Sequence, residues 1–250
     1  MMRSCIPVIL FLLMSILFLE GCTDTGMPAS ESQPNGQGGS LARFAIRNNM
    51  IYTLSGEKLA GYDISQPANT IPQFSIFVGA DLETIFVREQ LLFIGSANGL
   101  YIFDISNPVS PALRSNYTHI TSCDPVVADS LYAYITLNNS AQSFCRRGLN
   151  QLEIIDIRNP DNPSLLKVYP LTSPRGLGKD DSLLFVCDNG LSVYDARNVN
   201  SLVLLQKFNI QAEDVIAANG HLIVTGSSGI YQYNYQPGTL HLLSYIPTQE

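Results

Sequence analysis

The chain has 250 residues and a formal net charge of −7, and only 14% of its residues are charged. No basic field is available to hold a phosphate backbone, so nucleic acid is not an expected partner. Hydrophobic residues make up 46% and fall in short runs rich in Ile, Val, Tyr and Phe, broken by Gly, Asn, Asp and Pro, which excludes a disordered chain and points to strands and turns.

The first segment reads as an export address. Arg3 supplies a positive start, and Ile6 to Leu19 form an apolar stretch too short to span a bilayer as a stable helix. The closing Leu19-Glu20-Gly21-Cys22 resembles a bacterial lipobox, with Leu three residues before the Cys and Gly directly before it, although Glu20 stands where small or hydroxyl residues are usual. That resemblance implies a lipoprotein signal peptide over residues 1–21 and a lipidated Cys22, whose several acyl chains bury enough CH₂ groups for lasting attachment. An ordinary cleaved signal peptide or an uncleaved anchor is the alternative. Residues 22–40 are mostly Ser, Gly, Pro, Gln, Asn and Thr with hardly any apolar content, so a flexible tether from Cys22 to about Ser40 is expected. The expected location is the bacterial cell envelope, at the outer membrane, with the membrane met through the lipid alone.

From Leu41 onward the chain repeats itself about every 40 residues. Gly99-Leu-Tyr-Ile-Phe-Asp104-Ile-Ser-Asn-Pro108 returns as Gln151-Leu-Glu-Ile-Ile-Asp156-Ile-Arg-Asn-Pro160, with weaker copies at Lys58 to Pro67, Gly190 to Asn198 and Gly229 to Pro237. In the second unit Glu83 to Arg88, Leu91 to Gly95, Leu100 to Asp104 and Ala112 to Tyr117 read as four strands separated by turn residues. Four antiparallel strands in such a unit are a propeller blade. The expectation is an all-β, five-bladed β-propeller over residues 41–250, with repeats near 42–81, 82–125, 126–175, 176–214 and 215–250. Near-continuous apolar runs at Leu91 to Ile94, Leu131 to Ile135 and Leu222 to Val224 suit middle strands covered on both faces. The first unit opens on an inner strand and the last ends on an outer one, so closure must rest on blade packing without strand exchange. An open array is the alternative.

The fully spelled units resemble the LVIVD-repeat family, bacterial propeller-like proteins whose repeat carries a Gly-Leu-x-Ile-x-Asp-Ile-Ser-Asn-Pro phrase and then a Pro-x-Leu strand. The resemblance is close at Gly99 to Pro108 with Pro111 and Leu113, and at Leu152 to Pro160 with Pro163 and Leu165, and it extends over essentially all of residues 41–250. It implies a secreted or lipid-anchored propeller with a binding role, and it carries no catalytic residue to transfer.

Candidate chemistry is sparse. Asp63, Asp104, Asp156 and Asp195 share one repeat position, where a carboxylate accepting backbone N–H bonds fixes a turn, and one copy per blade keeps them apart. Opposite those turns, the entrances of the inner strands carry Arg43, Asp81 and Glu83, Asp124, Arg175, and Glu213 and Asp214, a mixed-charge ring at a channel mouth suited to a small polar ligand. Between Asn138 and Asn150 the third unit inserts extra residues, including Phe144, Arg146 and Arg147, which suit an acidic protein surface or a carboxylate-bearing glycan. No Ser-His-Asp order or Cys/His pair at ligand spacing is present, so no catalytic residue, metal or cofactor is expected. The resulting expectation is a non-enzymatic binding or scaffold module for an envelope protein or glycan. Its alternative is a glycan-active hydrolase or lyase using paired carboxylates at the channel mouth, among Asp81, Asp124 and Asp214.

Cys187 ends the apolar run Leu183 to Cys187 and reads as a small buried thiol, whereas Cys123 and Cys145 sit in turn-like sequence on connections that propeller geometry sends to one side. A Cys123–Cys145 disulfide is expected, stabilising the fold by about 3 kcal/mol on the chain-entropy model. Peptide mapping without reductant should recover the two cysteines as one cross-linked pair, and two free thiols would refute the pairing.

Overall fold

Two-residue turns organise each inner hairpin. Asn48 and Asn49 take φ of 47° and 60°, Glu89 and Asp181 take 53° and 45°, and Asn219 and Gly220 take 52° and 77°, the left-handed geometry whose twist matches that of paired strands. The computed structural model describes residues 37–118, 125–139, 149–236 and 239–248, all within the compact unit Gln33–Glu250.

Blade 1 comprises β1 (Phe44–Arg47), β2 (Met50–Ser55), β3 (Lys58–Asp63) and β4 (Ile71–Phe77). Blade 2 comprises β5 (Leu82–Arg88), β6 (Leu91–Ser96), β7 (Gly99–Asp104) and β8 (Ala112–Thr118). In blade 3 the strands are β9 (Val126–Ala128), β10 (Tyr132–Leu137), β11 (Gln151–Asp156) and β12 (Ser164–Pro170). Blade 4 holds β13 (Pro174–Asp180), β14 (Leu183–Asp188), β15 (Leu191–Asp195) and β16 (Val203–Phe208), and blade 5 holds β17 (Asp214–Ala218), β18 (His221–Gly226), β19 (Gly229–Gln236) and β20 (Thr239–Pro247). Each sheet contains four consecutive strands, all antiparallel, in sequence order. No strand is exchanged between blades, and there is no helix among the described residues. The five-bladed propeller arrangement expected from the repeat is the one adopted.

The glycine that opens the third strand has a steric reason. A Cβ on Gly99 would lie 2.1 Å from the carbonyl oxygen of Tyr117 on β8, and one on Gly229 would lie 2.2 Å from that of Ile246 on β20. Only a residue without a side chain lets the outer strand approach so closely.

Blade stacking buries both faces of the central blades. Leu92, Ile94 and Phe103 of blade 2 pack with Tyr52, Leu54 and Leu59 of blade 1, while Phe93, Leu100 and Ile102 pack with Tyr134 and Ile154 of blade 3. Blade 4 likewise turns Leu184 and Val186 toward blade 3, and Phe185, Cys187 and Val193 toward Val215, Leu222 and Val224 of blade 5. Among the described residues no buried apolar cluster joins blade 5 to blade 1. The run Leu222 to Val224 is therefore not covered on both faces as its composition suggests: Leu222 is fully buried, while Ile223 is 38% exposed on the unmatched face, with Ile230 and Ile246 beside it. Leu131 is also exposed, because it belongs to the turn before β10.

The seam between the end blades is bridged by residues expected to be tether. Gln37 Nε2 donates to the carbonyl of Ala217 at 2.8 Å, and the fully buried Ser40 donates its hydroxyl to Asp214 Oδ1 at 2.8 Å. Gln37–Ser40 run beside the inner strands, because a glycine pair at 38–39 and a small hydroxyl residue fit where larger side chains would not. Indeed a Cβ on Gly39 would meet the Asp214 carboxylate at 2.2 Å.

Adjacent residues on β18 provide a check on the unmatched face. Leu222→Ala should cost about 2–5 kcal/mol, as for a buried large-to-small change, and Ile223→Ala less than about 1 kcal/mol. Urea unfolding of the two variants measures both, and equal losses would mean that the face is covered.

Candidate functional site

The repeated aspartates serve the scaffold. Oδ1 of Asp63, Asp104, Asp156 and Asp195 accepts the N–H two residues on, from Ser65 at 2.7 Å, Ser106 at 2.8 Å, Arg158 at 3.1 Å and Arg197 at 3.0 Å. These bonds form Asx turns. The intervening residue ties that turn to the inner hairpin, since Ile64, Ile105 and Ile157 donate their N–H groups to the carbonyls of Asn49, Gln90 and Leu131. Hydrogen bonds from Ser65 and Ser106 hold Asp63 and Asp104 below the usual carboxylate range. The guanidinium of Arg158 does so for Asp156, and that of Arg197 brings Asp195 down to about 2.

At the opposite mouth, the charged ring expected from the sequence is largely consumed by local contacts. Arg175 pairs with Glu213 at 3.1 Å, Arg43 Nη1 donates to the Glu83 carbonyl at 3.4 Å, and Asp81 occupies a turn at φ 54° while its carbonyl accepts the Ala97 N–H. Asp214 belongs to the fold: its Oδ1 accepts the Ser40 hydroxyl at 2.8 Å, its Oδ2 accepts the Leu41 N–H at 3.1 Å, and the Ser40 Oγ accepts the Leu177 N–H at 2.8 Å. Both oxygens of Asp214 are thus held by the N-terminal segment. Burial raises its pKa despite those hydrogen bonds. Asp124, Phe144, Arg146 and Arg147, the Cys123–Cys145 pair and Cys22 lie outside the described residues. Cys187 is a free, buried thiol, and burial pushes its pKa up.

The cavity lies at the other end of the channel, on the side of the Asx turns. It has a volume of about 660 Å³ and is lined by the last residues of all five inner strands together with Gln37 and Gly38. Arg47, Arg88, Asp180 and Ala218 close four of the inner strands, and Asp129 directly follows β9 at the equivalent place, its N–H donating to the Tyr132 carbonyl. Two cations on neighbouring blades thus face two anions on the next pair. Lys179 stands among the anions with its side chain 8% exposed, its Nζ 3.6 Å from Asp129 Oδ2 and 5.8 Å from the Tyr134 ring centroid. Burial lowers the Lys179 pKa, and Asp129 opposes that shift. Sequence reasoning missed this ring, although comparing the ends of the first strands across the repeats would have exposed the non-equivalent series.

Replacing Asp214 tests the anchoring of the N-terminal segment. Its folded-state pKa lies above the unfolded value, so its contribution to stability is full below the unfolded pKa and declines as pH rises through the folded one. Asp214→Ala, which strands the Ser40 hydroxyl and the Leu41 N–H, should cost about 1–3 kcal/mol in urea unfolding at neutral pH. Asp214→Asn, which mimics the protonated form, should cost less than about 1 kcal/mol. An alanine variant as stable as the asparagine one would remove the anchoring role.

Comparison with known proteins follows the same division between scaffold and site. No curated protein sequence matches the chain. A functionally unknown protein from Desulfotomaculum acetoxidans is similar in structure, with a TM-score of 0.67, 11% identity and coverage of 82% of this chain and 69% of that one. A Bacteroides fragilis protein provisionally assigned as a 6-phosphogluconolactonase gives a TM-score of 0.60 at 11% identity, with the same coverage of 82% and 69%. The computationally designed protein Ika8 gives 0.58 at 11% identity, with 79% of this chain covered but only 59% of the designed one. At such identities the likeness is one of fold. The LVIVD repeat model matches residues 81–119 and 148–170, the two fully spelled units, and does not reach the weaker copies. The chain is therefore a five-bladed β-propeller that carries LVIVD repeats in its second and third blades.

Proposed function

We propose that this protein is a non-enzymatic, lipid-anchored propeller of the bacterial envelope, acting as a binding or scaffold module for a protein or glycan. The observation that carries this reading is the ring Arg47, Arg88, Asp129, Asp180 and Ala218 around an open cavity. A repeat scaffold needs the same residue at equivalent positions, as the Asx-turn aspartates illustrate, so five positions that differ in charge are free of that demand, and Arg47 and Arg88 among them are available to a ligand. The enzyme alternative loses one of its carboxylates, because Asp214 is held by Ser40 and Leu41. The anchor rests on the Leu19 to Cys22 tetrapeptide, and the envelope location follows from it.

Two experiments test these parts separately. Cys22→Ser should shift the protein from the membrane to the soluble fraction and abolish acyl labelling, and unchanged fractionation and labelling would refute the anchor. Incubation of the full chain with envelope extract should retain a defined protein or glycan, with retention reduced when residues 138–150 are deleted. Release of reducing sugar ends in proportion to added protein would refute the non-enzymatic reading.

A further inference from the structure

We infer that the channel cavity binds the anionic group of a small ligand, a carboxylate or a phosphate, between Arg47 and Arg88. This rests on the reading of the propeller as a binding module and names a ligand class for the cavity.

The charged residues lining the cavity are Arg47, Arg88, Glu89, Asp129, Lys179, Asp180 and Asp181. Asp129 is fully used: Oδ1 accepts the N–H groups of Leu131 at 2.8 Å and Tyr132 at 2.9 Å, and Oδ2 accepts the Tyr134 hydroxyl at 2.8 Å beside Lys179. Asp180 Oδ2 accepts the Tyr235 hydroxyl and, at 3.2 Å, the Gly220 N–H. Lys179 donates to the Asp181 carbonyl and lies against the Tyr134 ring, so it is a buried strut rather than a free cation. Asp129 and Oδ2 of Asp180 are thus occupied by the protein itself.

The arginines of the ring are not so occupied. Arg47 has a shielded Nε without a hydrogen-bond partner, and among the described residues no carboxylate pairs with its guanidinium. Arg88 has only its chain neighbour Glu89, with Nε 3.7 Å from Oε1, a separation too long for a hydrogen bond, and both side chains are at least half exposed. These arginines end β1 and β5, inner strands of neighbouring blades, at equivalent positions on the same cavity wall. A guanidinium keeps its charge in any environment, so the shielded Arg47 Nε costs stability unless an acceptor arrives, whereas the half-exposed Arg88 exchanges water for a ligand. Paired forks of this kind suit the two or three oxygens of a carboxylate or phosphate. The cavity, at about 660 Å³, falls within the usual range for small-ligand sites.

Isothermal titration of the full chain with sodium glucuronate, inorganic phosphate and neutral glucose tests the inference. Glucuronate, phosphate or both should bind with an affinity that falls as salt is raised, and glucose should not bind. Arg47→Gln and Arg88→Gln should each weaken binding at least tenfold, while Lys207→Gln, which removes a charge from an exposed outer strand, should leave it unchanged. Binding of glucuronate alone identifies an organic acid as the source of the anion, and binding of phosphate alone identifies a phosphate ester. Arg47→Gln should melt no lower than the parent chain, since it removes an unpartnered guanidinium, so lost binding with retained melting excludes misfolding. Absence of heat with both anions at millimolar concentration, or equal affinity in the arginine variants, overturns the site. Retention of a macromolecule from envelope extract in that event would leave the binding-module reading standing without this ligand.

Discussion

A blade that is apolar on both faces needs a neighbour on each side, and most of the molecule follows from that requirement. Blades 2, 3 and 4 meet it: alternate residues of blades 2 and 4 enter two separate clusters, and blade 3 lies wholly within the cluster that joins them. Blades 1 and 5 meet it on one side only. Their other faces carry Phe44 and Phe77, and Ile223, Ile230 and Ile246, all exposed. The N-terminal segment answers this with polar contacts, running Gln37 to Leu41 along β17 and fastening to Ala217, Asp214 and Leu177. Hydrogen bonds hold the ends of the series where apolar packing holds its middle.

Stacking also requires that successive blades present the same edges, which explains the conserved wording within the chain. The aspartate fixes the third turn, the next residue fastens that turn to the first hairpin, and the turn proline or its equivalent offers its carbonyl to the preceding blade. Pro108 accepts from the Tyr52 hydroxyl, Pro160 from the Ser115 hydroxyl and Val199 from the Tyr169 hydroxyl. The phrase is thus joinery, and its loss in a blade would be felt by two neighbours. Arg114 reinforces one of these joints, reaching Asp104 in its own blade and Asp161 in the next.

The ends of the inner strands escape this requirement. Their side chains line the cavity and make contacts that differ from blade to blade, Asp180 reaching Gly220 and Tyr235 of blade 5 while Arg47 Nε has no partner, so the residue there is free to differ from repeat to repeat. That freedom is what allows two arginines and two aspartates to occupy one ring, and it separates the part of the molecule that folds from the part available to a ligand.

Local chemistry was legible from the residues alone. The strands of blade 2, the two-residue turns, the five units, the turn role of Asp104 and the burial of Cys187 all depend on neighbours close in sequence, and the chain's pattern determines them. Tertiary structure alone decided where the cavity lies, that Ser40 claims Asp214, and that Ile223 has no partner while Leu222 does. It also brought Arg47 and Arg88 onto one cavity wall from separate repeats. These outcomes depend on which blade lies beside which and on how the series ends, and no periodicity within a single repeat encodes either, because a repeat carries the rule for stacking and not the number or closure of the stack.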